Sequence, residues 1–385
     1  MKCVSATSSL ADGIDAVTDV LEQVSSALDS EDVVVVWVFT SGHGRELWEP
    51  LAGRLSSAFP HAVSVGCTAE GTIGDGRELE RQTSVALMAA VLPDVEAQAV
   101  HVTQDAVDEG GWTDLLPELE AESALIALAD PFSIDPRRIL SDLEETHPGQ
   151  AIIGGMASAA HRPGFNRLLC DGAIHDEGVV MLSLTGDIVL DTVVSQGCRP
   201  IGEPYVVTKG EANVIESLRG NPAMTVLQEM AGSLPEEEQE LLKHGIFVGR
   251  AIDEYKSAFG RGDFLIHGII DADRDTGKIA IAGESRTGTT VQFHVRDAAS
   301  ADEDLREMMA PLRDTAYAGA LLFSCNGRGT RMWDSPGHDV GVLKETFGSL
   351  SAVGCFCAGE FGPIGGRNFI HGFTAVTGLL RPRSS

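Results

Sequence analysis

Basic residues are scarce in this chain. Its 385 residues hold 28 Lys plus Arg against 57 Asp plus Glu, a net charge of −29. Such a surface repels phosphate backbones, which argues against a nucleic-acid partner. Long apolar runs are missing too. None reaches the ~20 residues that a membrane-spanning helix needs. The N-terminus, with Lys2 and Cys3, lacks the apolar stretch of a secretory leader. A cytoplasmic protein that meets no membrane is expected. The seven cysteines are an odd number with no paired C-x-x-C, so neither a disulfide framework nor a zinc ribbon is indicated. G-x-S-x-G and H-E-x-x-H are absent. Gly42-x-Gly44 and Gly327-x-Gly329 lack the third glycine of a dinucleotide fingerprint. Asp271, Asp273 and Asp275 alternate like the start of a calcium loop, but Thr276 stands where its glycine belongs, so a hairpin turn is the better reading. Cys355 and Cys357 are expected to send their thiols to opposite sides of a strand, away from any shared ion.

What the chain does have is internal repetition. Val34–Phe39 runs into Thr40-Ser41-Gly42-His43-Gly44 and is followed by Val65-Gly66-Cys67-Thr68-Ala69-Glu70-Gly71. Far downstream, Ala320–Phe323 runs into Ser324-Cys325-Asn326-Gly327-Arg328-Gly329, followed by Val353-Gly354-Cys355-Phe356-Cys357-Ala358-Gly359-Glu360. A weaker middle copy spans Ala124–Asp130 and Ile152-Ile153-Gly154-Gly155. Glycine at a strand end lets backbone amides and small side chains approach a ligand closely. The repeats therefore read as a duplicated binding scaffold. Cys67 and Cys355 fall at equivalent places, which favours a packing role for both.

Strand-length apolar runs alternate with helical periodicity. Leu10, Ile14, Val17, Leu21, Val24 and Leu28 mark one helix face. Helices are expected over 46–59, 137–146, 301–312 and 340–347, and a short one over Val214–Leu218. Val33–Phe39, Thr83–Val91 and Ala124–Ala129 read as strands, and Val179–Leu184 with Ile188–Val194 as a hairpin. The fold class is α/β, in two related halves built from strand–helix–strand units with glycine-rich turns. Residues 219–240 are polar and helical and carry Pro222, Pro235 and Glu236-Glu237-Glu238, so the domains are expected at 1–240 and 241–385.

The candidate site is the last seventy residues. Strand ends in α/β sheets form ligand crevices. Arg328 and Arg331 could each fork onto a carboxylate, and Glu360 could receive an ammonium, a trap suited to a zwitterion. Phe356 and Phe361 supply an apolar wall. The expected pocket is bordered by Cys325, Asn326, Arg328, Arg331, Phe356, Glu360, Phe361 and Asn368. The competing reading is that Arg328 or Arg331 pairs with Glu360 or Asp339 to tie two loops. An enzyme is a second class, with Cys325 as nucleophile and His338 and Asp339 as base and orienter.

At these residues the chain resembles the FIST family of sensory domains. The N-terminal part matches in Val34–Phe39, Val65–Gly71 and Gly76-Arg77-Glu78-Leu79-Glu80. The C-terminal part matches in Gln292–Asp297, Phe323–Gly329, His338-Asp339, Gly359–Gly366, Asn368–Gly372 and Thr374. The resemblance implies a small-ligand sensor, for amino acids or similar molecules, in signal transduction. It offers no catalytic residues and no metal. No cofactor is predicted, but some members bind haem and respond to gases, so a haem-binding gas sensor is the alternative. Among the histidines His43 follows the first strand and His371 lies in the closing strand, and no spacing singles one out. An output would pass through a separate signalling protein.

Overall fold

The computed structural model describes residues 1–29, 31–120, 123–256, 258–260 and 262–383. They form a mixed α/β protein that divides into two compact units. One takes Met1–Val194, Leu305–Ile370 and Thr374–Ser385; the other takes Ser195–Asp304 and His371–Phe373.

In the first unit one succession of elements occurs three times. The first copy is β1 (Lys2–Ser8), α1 (Gly13–Leu28), β2 (Val35–Ser41), α2 (Trp48–Ala58), β3 (Val63–Thr68), the hairpin β4 (Gly71–Gly74) and β5 (Arg77–Glu80), then β6 (Ser84–Val91). The second is β7 (Val95–Val102), α3 (Gln104–Glu109), β8 (Ala124–Ala129), α4 (Pro136–Thr146), β9 (Ile152–Met156), the hairpin β10 (Leu168–Cys170) and β11 (Ala173–His175), then β12 (Val179–Gly186). The third opens with β13 (Val189–Gln196). The chain then runs through β14 (Cys198–Glu211), β15 (Val214–Leu218), β16 (Asn221–Pro222), α5 (Ala223–Ser233), α6 (Glu236–Leu241), β17 (Ile246–Ala251), β18 (Phe264–Ala272), β19 (Ile279–Ile281) and β20 (Thr290–Arg296). The third copy resumes with α7 (Ala298–Met309), β21 (Gly319–Cys325), α8 (His338–Phe347), β22 (Ala352–Cys357), the pair β23 (Glu360–Ile364) and β24 (Arg367–His371), and β25 (Thr374–Arg381).

Three six-stranded sheets result, in the orders β1-β6-β2-β3-β10-β11, β7-β12-β8-β9-β23-β24 and β13-β25-β21-β22-β4-β5. Each centres on a parallel pair, β2 with β3, β8 with β9, and β21 with β22. Each is completed by a hairpin from another copy. The first copy's β4–β5 joins the third sheet, the second copy's β10–β11 joins the first, and the third copy's β23–β24 joins the second. The exchange is cyclic, so no copy completes its own sheet.

Burial on both faces accounts for the continuous apolar runs. Along β2, Val35, Trp37 and Phe39 enter a core shared by all three sheets, while Val36 and Val38 pack under α1 and α2. That is the two-residue period of a strand. Asp12 caps α1, its carboxylate accepting from the Ile14 and Asp15 amides at 2.9 and 3.0 Å. The repeated glycine has a steric cause. A Cβ on Gly66, Gly154 or Gly354 would sit 2.0, 1.9 or 1.7 Å from the carbonyl oxygen of Val38, Ala127 or Leu322, the residue paired with it on the parallel neighbour. The middle copy is therefore a full partner of the other two.

The second unit is a seven-stranded antiparallel sheet, ordered β14-β20-β17-β18-β19-β15-β16, over a core that includes Tyr205, Ile215, Val226, Val248 and Phe293. Two expectations change here. Val214–Leu218 is strand β15, paired with β14, since its β-branched pair Val214-Ile215 suits a pleated surface better than a helix. The polar stretch 219–240 forms α5 and α6 inside this unit, so the compact units do not divide at residue 240. Its helical character is as expected, and its acidic run lies in α6, with Glu236 and Glu237 exposed and Glu238 paired with Arg199.

Candidate functional site

Strand β21 is buried throughout and ends at Cys325, paired in register with Cys357 of β22. The chain then loops to Gly337, whose positive φ of 88° turns it into α8. Helix α8 has no side-chain cap of its own. Its first turn presents Asp339, and Arg328 folds back onto it with 0% of its surface exposed. Nε and Nη2 of Arg328 donate to the two Asp339 oxygens at 2.8 and 2.7 Å, a charge-assisted fork. The Ser324 hydroxyl donates to the same carboxylate at 2.8 Å, and His338 Nδ1 lies 3.0 Å from it. Burial alone would raise the Asp339 pKa, but the Arg328 guanidinium outweighs it and holds the carboxyl well below the usual range. The Trp333 ring lies 5.0 Å from the Arg328 guanidinium carbon and stacks on His338 at 3.6 Å.

A second set of carboxylates grips this loop from the exchanged hairpin. Glu78 of β5 accepts from the Gly337 and Val340 amides at 3.1 and 2.9 Å, supplying the missing cap of α8. Glu80 accepts from the Thr330 amide at 3.0 Å and from its hydroxyl at 2.8 Å. Glu70, just before β4, pairs with both terminal nitrogens of Arg331, which also donates to the Asn326 carbonyl at 2.6 Å. Burial, then the Asp339 charge, pushes the Glu78 pKa up to about 7.

The network is incomplete at one end. Nη1 of Arg328, Oδ1 of Asn326 and both carboxyl oxygens of Glu360 are buried with no well-aligned hydrogen-bond partner, although the Thr374 amide and Cys325 lie beside the Glu360 carboxyl. Burial raises the Glu360 pKa well above its ordinary value, against the opposing pull of the Thr374 amide, Arg328 and Cys325, which favours its neutral form. Cys325 is the common electrostatic neighbour of Arg328, Arg331 and Glu360. A recess of about 10 Å³, lined by Glu70, Gly71, Glu80, Arg81, Asn326, Arg331 and Phe356, opens beside them. That is room for one water.

The middle copy carries a contrasting network. Asn166 donates to Asp130 at 2.8 Å and accepts from the Ala160 amide at 3.0 Å and the Thr68 hydroxyl at 3.3 Å. The other Asp130 oxygen accepts from the Ser133 hydroxyl and the Phe132 amide, at 2.7 and 3.2 Å. Thr68 Oγ1 in turn accepts from the Arg167 amide at 2.9 Å. Every polar side-chain atom of Asp130, Asn166 and Thr68 is matched.

The structure thus brings Cys325, Asn326, Arg328, Arg331, Phe356 and Glu360 together and sets two expected residues apart. Phe361 is fully buried in the core beneath α4. Asn368 spans the start of β9, accepting from the Ile152 amide at 3.0 Å and donating to the Gln150 carbonyl at 2.7 Å. The carboxylate facing Arg331 is Glu70, not Glu360. Glu70, Glu78 and Glu80 all lie in the repeated and hairpin sequences, but only the hairpin exchange puts them beside the last seventy residues. His338 faces Asp339 through Nδ1 and stacks on Trp333. The Cys325 sulfur itself accepts from the Gly327 amide at 3.3 Å.

Two further points concern cysteine and histidine. Cys355 and Cys357 share a strand face, with sulfurs 3.7 Å apart. The expectation of opposite faces fails because residues two apart on a strand point the same way. Cys67 hydrogen-bonds Cys355, and all three thiols are buried in the shared core. Among the described residues no group of three or more His, Cys, Asp or Glu is arranged to hold a metal. No helix of the described residues is long and apolar enough to cross a membrane.

Comparison with known proteins gives two adjoining family matches, which meet inside the second unit. The FIST N domain model matches residues 34–221 and the FIST C domain model matches residues 223–363. The uncharacterized protein Rv0628c of Mycobacterium tuberculosis is 37% identical over 351 residues, covering 90% of this chain and 91% of its own length. The uncharacterized protein Mb0898c of Mycobacterium bovis is 36% identical over 351 residues, covering 90% of each chain.

Proposed function

The chain belongs to the FIST family, whose domains are regarded as small-ligand sensory domains, and from that premise we propose that it binds an amino acid or similar zwitterion at the C-terminal ends of β21 and β22. The observation that carries this reading is the set of four buried atoms on Arg328, Asn326 and Glu360 that lack a well-aligned hydrogen-bond partner. Buried polar groups are nearly always matched, so a set left open in one place calls for a partner that the chain does not supply. A neutral Glu360 and Asn326 Oδ1 offer acceptors, and Arg328 Nη1 offers a donor.

Arg331 and Glu70 form the entrance in this reading. Their side chains are 41% and 32% exposed, so parting them costs ~0–1 kcal/mol, the usual worth of an exposed ion pair. The ligand carboxylate takes the Arg331 fork and the ammonium takes Glu70. Phe356 supplies the apolar wall. The recess must widen, because it holds one water and not an amino acid. Catalysis is not part of the reading, and the ligand-dependent change passes to a separate output protein.

A thermal-shift screen against the twenty amino acids and simple carboxylates tests this. A ligand at 100 times its Kd stabilises the native state by about 2.7 kcal/mol. At least one zwitterion should raise the melting temperature. A screen in which none does contradicts the proposal.

A further inference from the structure

The exchanged hairpin β4–β5, with Glu70 just before it, pairs with β22 through β4 and meets the arginine loop and α8 through three carboxylates. Glu70, Glu78 and Glu80 meet Arg331, the N-terminus of α8 and Thr330 in turn. The loop from Asn326 to Gly337 contains both arginines of the site. Its own contribution to order is one short helical turn, Gly329–Arg331. The hairpin holds both ends of the segment that follows it: Glu80 at Thr330 and Glu78 at Gly337 and Val340. Between those anchors lie Arg331, Trp333 and Asp339, the partner of Arg328.

We propose that Glu78 is a positioning residue for the ligand site, the hairpin acting as a clamp whose grip on α8 decides how Arg328 and Arg331 are presented. This rests on the reading of the site given above. Three observations support it. Helix α8 has no capping side chain of its own, so Glu78 is its cap. Glu78 is 6% exposed, so it cannot exchange its amide partners for water without the clamp opening. The hairpin comes from a different copy of the repeat, so its movement would carry a change at the site to the edge of the third sheet.

The clamp should respond to pH. The charged groups facing Glu78 are Asp339 on α8, Glu80 on its own hairpin and Arg328 on the loop. Burial and Asp339 together raise its pKa from 4.5 to about 7 in the closed state. Opening exposes Glu78 to water and returns it toward its ordinary value. The open state therefore binds fewer protons than the closed one between those values. Raising pH across that window favours opening, by up to tenfold per pH unit for one proton.

Hydrogen exchange of the whole protein without ligand tests the clamp. After correction for intrinsic rates, the Gly337 and Val340 amides should lose protection as pH rises from 5 to 7. Glu78→Gln should speed exchange at Gly337 and Val340, remove that pH dependence, and leave Thr330 unchanged. Glu80→Gln should do the reverse, acting on Thr330 alone. The Leu322 amide in β21 reports whether each variant is folded. If Gly337 and Val340 keep wild-type protection and the same pH response in Glu78→Gln, the clamp is wrong. Equal acceleration at all three amides with Leu322 still protected also overturns it. The ligand screen can fail while this experiment succeeds, and the reverse, so the two ideas fall separately.

Discussion

Two buried polar networks sit at strand ends of the first unit, and they differ in completeness. The one around Asp130, Asn166 and Thr68 closes on itself, each acceptor facing a donor. The one around Arg328, Asp339 and Glu360 is strongly bonded on the Asp339 side and open on the Glu360 side. Completeness is what separates a structural network from a site. A closed network stabilises one conformation and has nothing to offer a ligand. An open one keeps polar atoms out of water with no internal return, a cost that a bound molecule can offset.

The comparison is sharpened most by breaking each network at its strongest point. Asp339→Ala should cost about 3–5 kcal/mol in urea unfolding, because it strands a buried guanidinium. The double variant Arg328→Met with Asp339→Leu should recover most of that loss. If the single and double variants are equally unstable, the pair is not the source of the cost.

Asn166→Ala should cost less, about 1–3 kcal/mol, the penalty for leaving buried partners unsatisfied. It should not alter ligand binding by the folded protein. A change in binding would mean that the closed network belongs to the site after all.

The cost of Glu360→Gln should be smaller still at acid pH and should shift in the variant's favour as pH rises. The folded-state pKa of Glu360 lies above its ordinary 4.5, so its contribution to stability is complete below the unfolded value and declines as pH rises through the folded one. Unfolding free energies of wild type and variant at pH 5 and pH 8 should therefore diverge in favour of the variant at the higher pH. A difference that does not change with pH would show that Glu360 is not held neutral.

Much of this architecture was legible in the sequence. The Gly66 and Gly354 repeats mark real equivalents, because each glycine lies against the carbonyl of its parallel neighbour. The middle copy looked weak only because Gly155 stands where the other copies have cysteine. A Cβ there would lie 2.2 Å from the Cys357 sulfur, so the missing side chain is part of the packing. Cys325, Asn326, Arg328, Arg331, Phe356 and Glu360 could be chosen because arginines and a carboxylate followed two buried strands. Glu70 and Glu78 could not be assigned to the site, since nothing local announces that a hairpin completes the sheet of another copy. Phe361 and Asn368 misled for a related reason: their strands, β23 and β24, belong to the sheet of the middle copy. The Arg328–Asp339 pair lay within reach as the loop-tying alternative, and the fork shows that it holds for Arg328.

The central claim is that the open network is a ligand site with Arg331 at its entrance. The direct test is to titrate the best zwitterion from the screen into wild type and Arg331→Ala, and to measure the unfolding free energy of both. The account predicts that Arg331→Ala loses at most ~1 kcal/mol of stability, as for an exposed ion pair, while binding weakens by ~1.5–3 kcal/mol, the scale of a hydrogen bond to a charged group. Unchanged affinity in a folded but destabilised variant would contradict it.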